Sequence, residues 1–212
     1  MCSGRVDLAF VLRAFSNGMD GVFIGACRLN ECNYVTHGNY HALNMVLLCR
    51  KIMEHIGLNP ERLRIEFMSA GEGNLFTEVI NDFGKKVKEL GPLGKGEGIE
   101  ENELKFNLEA VTKLIPYVRL VESERLRAPV KSEGEYNKFF TSDEVNRLFN
   151  ELIGDKLSIS QIMLLLREKP LSTGEISEIL GLNPSEVSRH MNSSSRQGLV
   201  RYDETRKCFA LA

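Results

Sequence analysis

The 212-residue sequence lacks an excess of charge, a long apolar run and a leader-type start. Its 27 Lys and Arg stand against 29 Asp and Glu, so a net charge of −2 gives the whole chain no general attraction for nucleic acid or anionic membranes. No apolar stretch is long enough to span a bilayer. Arg5, Asp7 and Arg13 exclude a secretory signal peptide at the start. These absences predict a globular cytoplasmic protein that does not bind membranes.

Catalytic residue sets are also missing. The sequence contains no Ser-His-Asp set, no plausible pair of acid and base carboxylates and no phosphate-binding glycine-rich loop. Gly94 and Gly96 lie in a linker-like segment that no strand precedes, which argues against a nucleotide site there. The sequence therefore gives no reason to expect that this chain catalyses a reaction alone.

Cysteine is the residue type in this sequence that points most clearly to a functional site. Five cysteines in a chain without a secretory leader favour free thiols or metal ligands over disulfides. Cys27 and Cys32 form a Cys-x4-Cys pair, and Cys2 lies at the start of the chain. The same gap occurs in plant-type 2Fe–2S ferredoxins. Thiolates also suit zinc, and the residues alone favour neither metal over the other.

Hydrophobic periodicity predicts an α/β order in the first half of the chain. An apolar run that directly precedes Cys27 is typical of a buried parallel strand. Ligands collect outside the carboxyl ends of such strands, which is where the cysteine loop would lie. The α-β-α-β-α order matches half of a doubly wound, flavodoxin-like fold. The predicted helices are 6–17, 39–56 and 74–90, and the predicted strands are 21–25 and 63–67.

Two strands make a poor sheet, because two-stranded sheets are marginal by themselves. We therefore expect a strand-helix-strand start to be missing before Met1. On this interpretation Met1-Cys2 ends a strand whose preceding residues are absent or are supplied by another polypeptide. An N-terminal complementing polypeptide is thus an expected partner.

The middle and the end of the chain differ in composition from the first 92 residues. Residues 93–140 are predicted to form a linker and an amphipathic helix over 102–126, interrupted near Pro116, with 127–140 irregular. Residues 141–212 are predicted to form a second domain.

That second domain resembles the winged-helix domains of small prokaryotic regulators. A helix over 158–168, a short helix, a turn at Gly181, a helix that opens at Pro184 and a terminal hairpin together predict a winged helix-turn-helix. DNA binding needs a cluster of cations. The cluster here is modest and is partly offset by acids, so protein docking is slightly favoured over DNA binding. Its members are Arg189, His190, Arg196, Arg201, Arg206 and Lys207.

Residues 1–92 resemble the delta subunit of methyl-viologen-reducing hydrogenase, also called the hydrogenase iron–sulfur subunit. The resemblance rests on an ordered series of motifs. These are the start through Asp7, Phe10–Phe15, Gly21–Phe23, the Cys-x4-Cys loop, Gly38–Tyr40, Pro60–Arg62, Ser69–Gly73 and Val87–Pro92. It implies a 2Fe–2S cluster held by Cys2, Cys27 and Cys32. It also implies electron transfer between a hydrogenase or formate dehydrogenase and the flavin subunit of heterodisulfide reductase, in anaerobic archaea and some bacteria.

The chain departs from the family pattern in two places. The family carries an upstream cysteine-rich motif that this sequence does not contain, so the fourth ligand stays open. Arg28 and Asn33 stand where histidines are common. Cys49 is a weaker candidate for the fourth ligand, because its helical stripe predicts a core position.

Other residues around the loop have two interpretations. His37 and His41 either donate hydrogen bonds to cluster sulfurs or are surface residues, and Arg28 either favours the reduced cluster, docks a partner or is solvated. Residues 25–37 are the expected docking rim, and Cys208 is expected to be a packed strand residue.

Three hypotheses follow for the whole chain. The first is an electron-transfer subunit of an oxidoreductase complex, itself non-catalytic. The second is a redox-responsive winged-helix transcriptional regulator with a cysteine metal site. The third, compatible with the first, is a fragment of a split or wrongly started gene that folds only with its N-terminal segment.

Overall fold

A computed structural model describes residues 2–34, 37–128 and 132–212. The strand end predicted at Met1, two positions of the docking rim and three of the segment predicted to be irregular lie outside these ranges. The chain divides into two compact units, Met1–Leu148 and Phe149–Ala212, each of which is described by itself. Within the described ranges, no helix combines the length and the apolar character that crossing a membrane requires.

The first half of unit 1 has the predicted α-β-α-β-α order, with helix and strand ends within two residues of the prediction. Its helices begin and end where the apolar periodicity does, and Asp7 caps the first one by accepting a hydrogen bond from the Ala9 N–H at 2.7 Å. The elements are α1 (Leu8–Ser16), β1 (Val22–Ala26), α2 (Asn39–His55), β2 (Leu63–Phe67) and α3 (Gly73–Leu90).

The two strands pair in parallel, as the apolar run predicts, with Val22 opposite Leu63 and Ala26 opposite Phe67. β1 is only half buried, however, since Ile24 and Ala26 are covered while Gly25 is exposed. Within the described residues the sheet has these two strands alone. The complete doubly wound, flavodoxin-like arrangement therefore stays a prediction.

Helix α2 forms the centre of unit 1. It packs against β2, α1 and two later helices, α4 (Glu101–Arg125) and α5 (Glu133–Thr141). On β1, Phe23 contacts Phe83 of α3 at 5.7 Å between ring centroids. The α2 side chains with no more than 3% exposure include Ala42, Leu43, Met45, Val46, Leu48, Cys49, Ile52 and Met53.

Two expectations for the middle of the chain are wrong. Helix α4 runs through Pro116 without a break, because its apolar side chains pack on α1 and α2 and outweigh the local cost of a helical proline. Residues 133–140, predicted to be irregular, lie in α5, which Tyr136 and Phe140 anchor. A short helix α6 (Asp143–Phe149) follows, with the Ser142 hydroxyl accepting a hydrogen bond from the Val145 N–H at 3.3 Å.

A buried arginine in the 3-10 turn before β2 holds the glycine-rich segment that follows α3. Arg62 is fully buried, and its guanidinium donates to Glu97 at 2.5 and 3.0 Å. It also donates to the carbonyl oxygens of Asp20 (2.9 Å) and Gly91 (2.8 Å). Residues predicted as a linker are therefore held against the fold, with a 3-10 turn at Lys95–Glu97.

Unit 2 is a winged helix, as the sequence predicts. A π-helical turn (Asn150–Gly154) leads into α7 (Asp155–Glu168), α8 (Thr173–Leu180) and α9 (Pro184–Arg196), followed by an antiparallel wing of β3 (Val200–Asp203) and β4 (Cys208–Leu211). Gly181 adopts φ +63° in the turn between α8 and α9. The core comprises Ile162, Leu166, Leu171, Ile176, Val187, Met191 and Val200.

Candidate metal centre

The three predicted ligand cysteines converge at the carboxyl end of β1. Cys27 follows the last residue of that strand and is exposed, whereas Cys2 and Cys32 are partly buried. The sulfur atoms of Cys2 and Cys32 lie 3.9 Å apart. Cys32 also interacts with the Cys27 thiol, so it interacts with both of the other cysteines. Residues separated by up to 30 positions thus form one thiol cluster.

The N-terminal segment is packed tightly onto the end of the cysteine loop. Cys2 has extended backbone and precedes a 3-10 turn, and its sulfur accepts a hydrogen bond from the Gly4 N–H at 3.4 Å. A side chain at Gly4 would collide with the carbonyl oxygens of His37 and Gly38. This close backbone approach brings Cys2 to the loop.

The residues just before α2 hold the loop from the other side. A Cβ atom at Gly38 would collide with the Cys32 sulfur and with the Tyr34 carbonyl oxygen. Asn39 is 2% exposed, and its amide nitrogen donates to the carbonyl oxygens of Cys27 (3.0 Å) and Arg28 (2.6 Å). The turn before α2 therefore requires a residue without a side chain at position 38 and a buried side-chain amide at position 39.

An ion pair connects the cysteine loop to the start of α3. Arg28 Nε donates to a Glu72 carboxylate oxygen at 2.9 Å, and a second guanidinium nitrogen contacts the other oxygen. The Ser69 N–H donates to the same carboxylate at 2.7 Å. Hydrogen bonds from Arg28 and then from Ser69 lower the pKa of Glu72 to about 2. The Arg28 charge is thus paired with Glu72 rather than free beside the thiols.

The thiols differ in acidity because their surroundings differ. Burial raises the pKa of Cys27, and its neighbours Cys32 and Cys2 raise it further. Burial acts in the same direction on Cys32, but the N–H groups of Tyr34 and Asn39, with hydrogen bonds from the other two thiols, lower its pKa below the usual value. Of Cys27 and Cys32, Cys32 is therefore the thiol that more readily becomes the thiolate that a metal binds.

The sulfur positions are a partial fit to a metal centre. Zinc with bonds of about 2.3 Å places its sulfur ligands about 3.8 Å apart around one ion. Among the described residues, the three cysteine sulfurs do not all lie within 4.8 Å of one another. Cys2 and Cys32 have the spacing of two ligands of one ion, while the three sulfurs together are spread more widely than a single ion requires. Cysteine ligands that are divided between two irons have sulfur atoms farther apart than ligands of a single ion. The three thiols therefore fit part of an all-cysteine 2Fe–2S ligand set.

The first part of the chain is similar to known proteins. Residues 1–91 match the family described as "Methyl-viologen-reducing hydrogenase, delta subunit". Among the relatives, the iron-sulfur subunit of the F420-non-reducing hydrogenase of Archaeoglobus profundus is 44% identical over 91 residues, which are 43% of this chain and 66% of that protein. The corresponding iron-sulfur subunit from Methanopyrus kandleri is 36% identical over 92 residues, 43% of this chain and 69% of that protein. The chain belongs to this family.

The family domain also occurs inside much longer relatives. One of these is a subunit of the ferredoxin/F(420)H(2)-dependent CoB-CoM heterodisulfide reductase of Methanosarcina acetivorans. It is 45% identical over 94 residues, which are 44% of this chain but only 12% of that protein. The chain therefore spans about an eighth of such relatives and about two thirds of the hydrogenase subunits. Residues 160–202 in unit 2 match a different family, "Bacterial regulatory protein, arsR family".

The remaining two cysteines, Cys49 and Cys208, are buried. Cys49 lies ten positions after Asn39 on α2, or about 15 Å along the helix axis at about 1.5 Å per residue. It is fully buried, and burial raises its pKa to about 12. Cys208 is a buried residue of β4, as predicted.

The two histidines considered as neighbours of the cluster lie beside each other after the cysteine loop. The rings of His37 and His41 are 5.9 Å apart. His41 Nδ1 is 4.0 Å from the buried Glu122 carboxylate, which also accepts a hydrogen bond from Asn44 at 3.0 Å. His41 is thus directed toward a buried polar group on α4.

Sequence reasoning did not assign a role to several residues that build the site. Gly38, Asn39, Ser69 and Glu72 all fall within motifs that carried the family resemblance, yet spacing alone does not show what they contact. The signal was the presence of small and polar residues between otherwise regular elements. Their contacts explain why these short motifs accompany the cysteines.

Proposed function

We propose that the chain is an electron-transfer subunit whose Cys2, Cys27 and Cys32 hold a 2Fe–2S cluster. It would relay electrons between a hydrogenase or formate dehydrogenase and a heterodisulfide-reductase-type flavin subunit. The observation that carries the proposal is the convergence of these thiols on a family-matched loop. Such a cluster supplies one-electron redox chemistry. The named residues contribute binding and orientation.

The relatives support this choice of partners. The same stretch of about 90 residues forms most of a separate hydrogenase iron-sulfur subunit in one relative and a small part of a long heterodisulfide reductase polypeptide in another. A domain that occurs in both settings is suited to the junction between the two enzymes. For this chain we infer a place at that junction.

The loop has the exposure that an electron-transfer surface needs. Cys27 is exposed, and the Tyr34 side chain beside Cys32 is 64% exposed. A partner that docks on this rim would approach the cluster without an intervening layer of protein. Backbone N–H groups directed at Cys2 and Cys32 would stabilise the added negative charge of the reduced state.

A 2Fe–2S cluster needs a fourth ligand in addition to these three thiols. The distance of Cys49 along α2 excludes it from that position. We assign the fourth position to a donor other than Cys49, such as a cysteine of a partner polypeptide. Adding a synthetic peptide that contains cysteine should then increase cluster occupancy.

The relay is tested by reconstitution without oxygen. Hydrogenase, the loaded chain and the flavin-containing polypeptide of a heterodisulfide reductase are mixed under hydrogen, and flavin reduction is followed by absorbance. Flavin reduction should require the loaded chain and should fail with the Cys32→Ser chain at equal concentration. Equal rates with and without the chain would contradict the relay.

Gly38→Ala should weaken cluster retention without removing any ligand. Its new Cβ would displace the Cys32 sulfur, and overpacking of this kind costs about 1–3 kcal/mol. We expect iron retention against a chelator to fall by about tenfold or more, since about 1.4 kcal/mol is a tenfold change. Gly71→Ala is the matched control, because nothing lies within 4 Å of a Cβ there. Equal retention in both variants would disprove the steric role of Gly38.

A second candidate function rests on unit 2. The exposed side of α9 and the residue that follows it present side chains of the types that read base edges in the major groove. They line a shallow cleft and comprise Ser185, Ser188, Arg189, Asn192, Ser193, Arg196 and Gln197. Together with the arsR-family match, this face supports the redox-responsive winged-helix regulator as the alternative.

The regulator is tested by gel retardation of promoter DNA at physiological salt. Arg189→Ala should abolish retardation, while Arg167→Ala, an exposed arginine on α7, should leave it unchanged. Absence of any salt-dependent binding by the parent chain would remove this candidate.

A further inference from the structure

Unit 2 contains a buried histidine whose outer nitrogen has no hydrogen-bond partner. His190 lies on α9 and is 3% exposed, and its Nε2 is one of two buried side-chain polar atoms without a hydrogen bond among the described residues. The nearest acidic oxygens belong to Glu186 (3.7 Å) and Asp155 (3.9 Å). These separations are too long for hydrogen bonds. A buried nitrogen left unpaired is costly unless something else fills the space in front of it.

The fold positions these three groups from two helices. Glu186 and His190 are four residues apart on α9, so they share one face of that helix. Asp155 is the first residue of α7, directly after the π-helical turn. One oxygen of each carboxylate and one nitrogen of the imidazole all lie within 4.8 Å of one another. Among the described residues, this is the cluster of His, Cys, Asp and Glu side chains that is compact enough to hold a metal ion.

We propose that Asp155, Glu186 and His190 bind a divalent transition-metal ion, zinc by ligand type, that joins α7 to α9. Imidazole nitrogen and carboxylate oxygen bind zinc at about 2.0–2.2 Å, which places tetrahedral ligand atoms about 3.4 Å apart. The observed 3.7 and 3.9 Å need to close by only a few tenths of an ångström. Three protein ligands leave one position for water. No electron moves, and any proton on His190 Nε2 leaves as the metal binds.

Metal binding would also change the charge on the outer face of α9. Arg189 donates to the same Asp155 oxygen at 3.0 Å and lies 3.9 Å from Glu186. Its side chain is 62% exposed, so the ion pair is weak and the guanidinium can leave for solvent. The metal would take over both carboxylates and release Arg189 on the face of α9 proposed above to meet DNA. The site would thus couple a metal to that surface.

Zinc binding to the full chain tests this site independently of the cluster proposal. A background variant that carries Cys2→Ser, Cys27→Ser and Cys32→Ser removes the thiol cluster. Zinc is titrated into it by calorimetry with a competing chelator, and one zinc per chain is expected. Asp155→Asn and Glu186→Gln should each weaken affinity tenfold or more, and His190→Gln should abolish binding.

A matched control and two further readouts separate binding from misfolding. Glu178→Gln alters an exposed carboxylate of α8 and should keep the background affinity. Zinc should slow hydrogen exchange of residues 184–196 in the background chain but not in Glu186→Gln. Cobalt should give ligand-field bands without thiolate charge transfer. No zinc uptake, full affinity in both carboxylate variants or a thiolate band would overturn the proposal.

Discussion

Cys32→Ser is expected to leave the purified chain almost without iron. Cys32 interacts with both of the other thiols, its sulfur is 3.9 Å from that of Cys2, and its pKa is lowered below the usual value. Loss of a residue that only hydrogen-bonds to a metal ligand already lowers metal affinity by about 10–100-fold. Loss of the ligand itself should therefore reduce iron in the anaerobically reconstituted chain to less than about a tenth of the parent value. Iron and sulfide analysis after desalting measures this.

Cys49→Ala is the matched control for that experiment. Cys49 is a fully buried thiol of the same unit, remote from the cluster along α2. Its replacement removes a sulfur without touching the site and should keep iron at the parent level. If Cys32→Ser kept its iron while Cys49→Ala lost it, the assigned ligand set would be wrong.

Arg62→Met should be the most destabilising single change in unit 1. The guanidinium is fully buried and has the Glu97 carboxylate and four backbone carbonyl oxygens within 3.4 Å. Removing one partner of a buried ion pair leaves the other charge unpaired, which costs about 3–5 kcal/mol. The carbonyl oxygens at the end of α3 lose their donors as well. The stability of unit 1 is measured by urea unfolding, with hydrogen exchange of peptides from α2 and β2 as the probe.

Arg119→Met supplies the comparison. Arg119 also pairs with a carboxylate, Asp7, but its side chain is 50% exposed, and such surface pairs contribute about 0–1 kcal/mol. The two variants lose the same charge and gain the same side chain. Similar unfolding midpoints for both would contradict the anchoring role of Arg62.

Strongly periodic elements could be predicted from the sequence. The strand over 63–67 has the predicted bounds, and α2 and α3 end within a residue of the predicted ends, because their apolar stripes and glycine caps are local signals. Helix α5 could not be found in this way. It is nine residues long and mostly polar, and Tyr136 and Phe140 are its buried residues. The continuity of α4 through Pro116 likewise depends on packing that no local pattern shows.

In the candidate sites, too, local patterns were predictable and contacts between distant residues were not. The apolar run predicted a strand directly before Cys27, and β1 does end at Ala26, while the choice of Cys2 as a ligand depended on the family resemblance. The parts contributed by distant residues were not predictable: Glu72 reaches Arg28 across 44 positions, and Asp155 meets α9 across 34. Ion pairs of this kind have no periodicity, so they become visible only when the fold brings the residues together.

Iron and acid-labile sulfide content, with an EPR spectrum after reduction, tests the electron-transfer role most directly. The chain is purified without oxygen and reconstituted with iron, sulfide and an excess of thiol, which can occupy the fourth ligand position. A 2Fe–2S subunit predicts about two irons and two sulfides per chain and a half-spin signal that appears on reduction. Zinc without sulfide, or a reconstituted chain that holds no metal at the cysteines, would contradict the 2Fe–2S assignment.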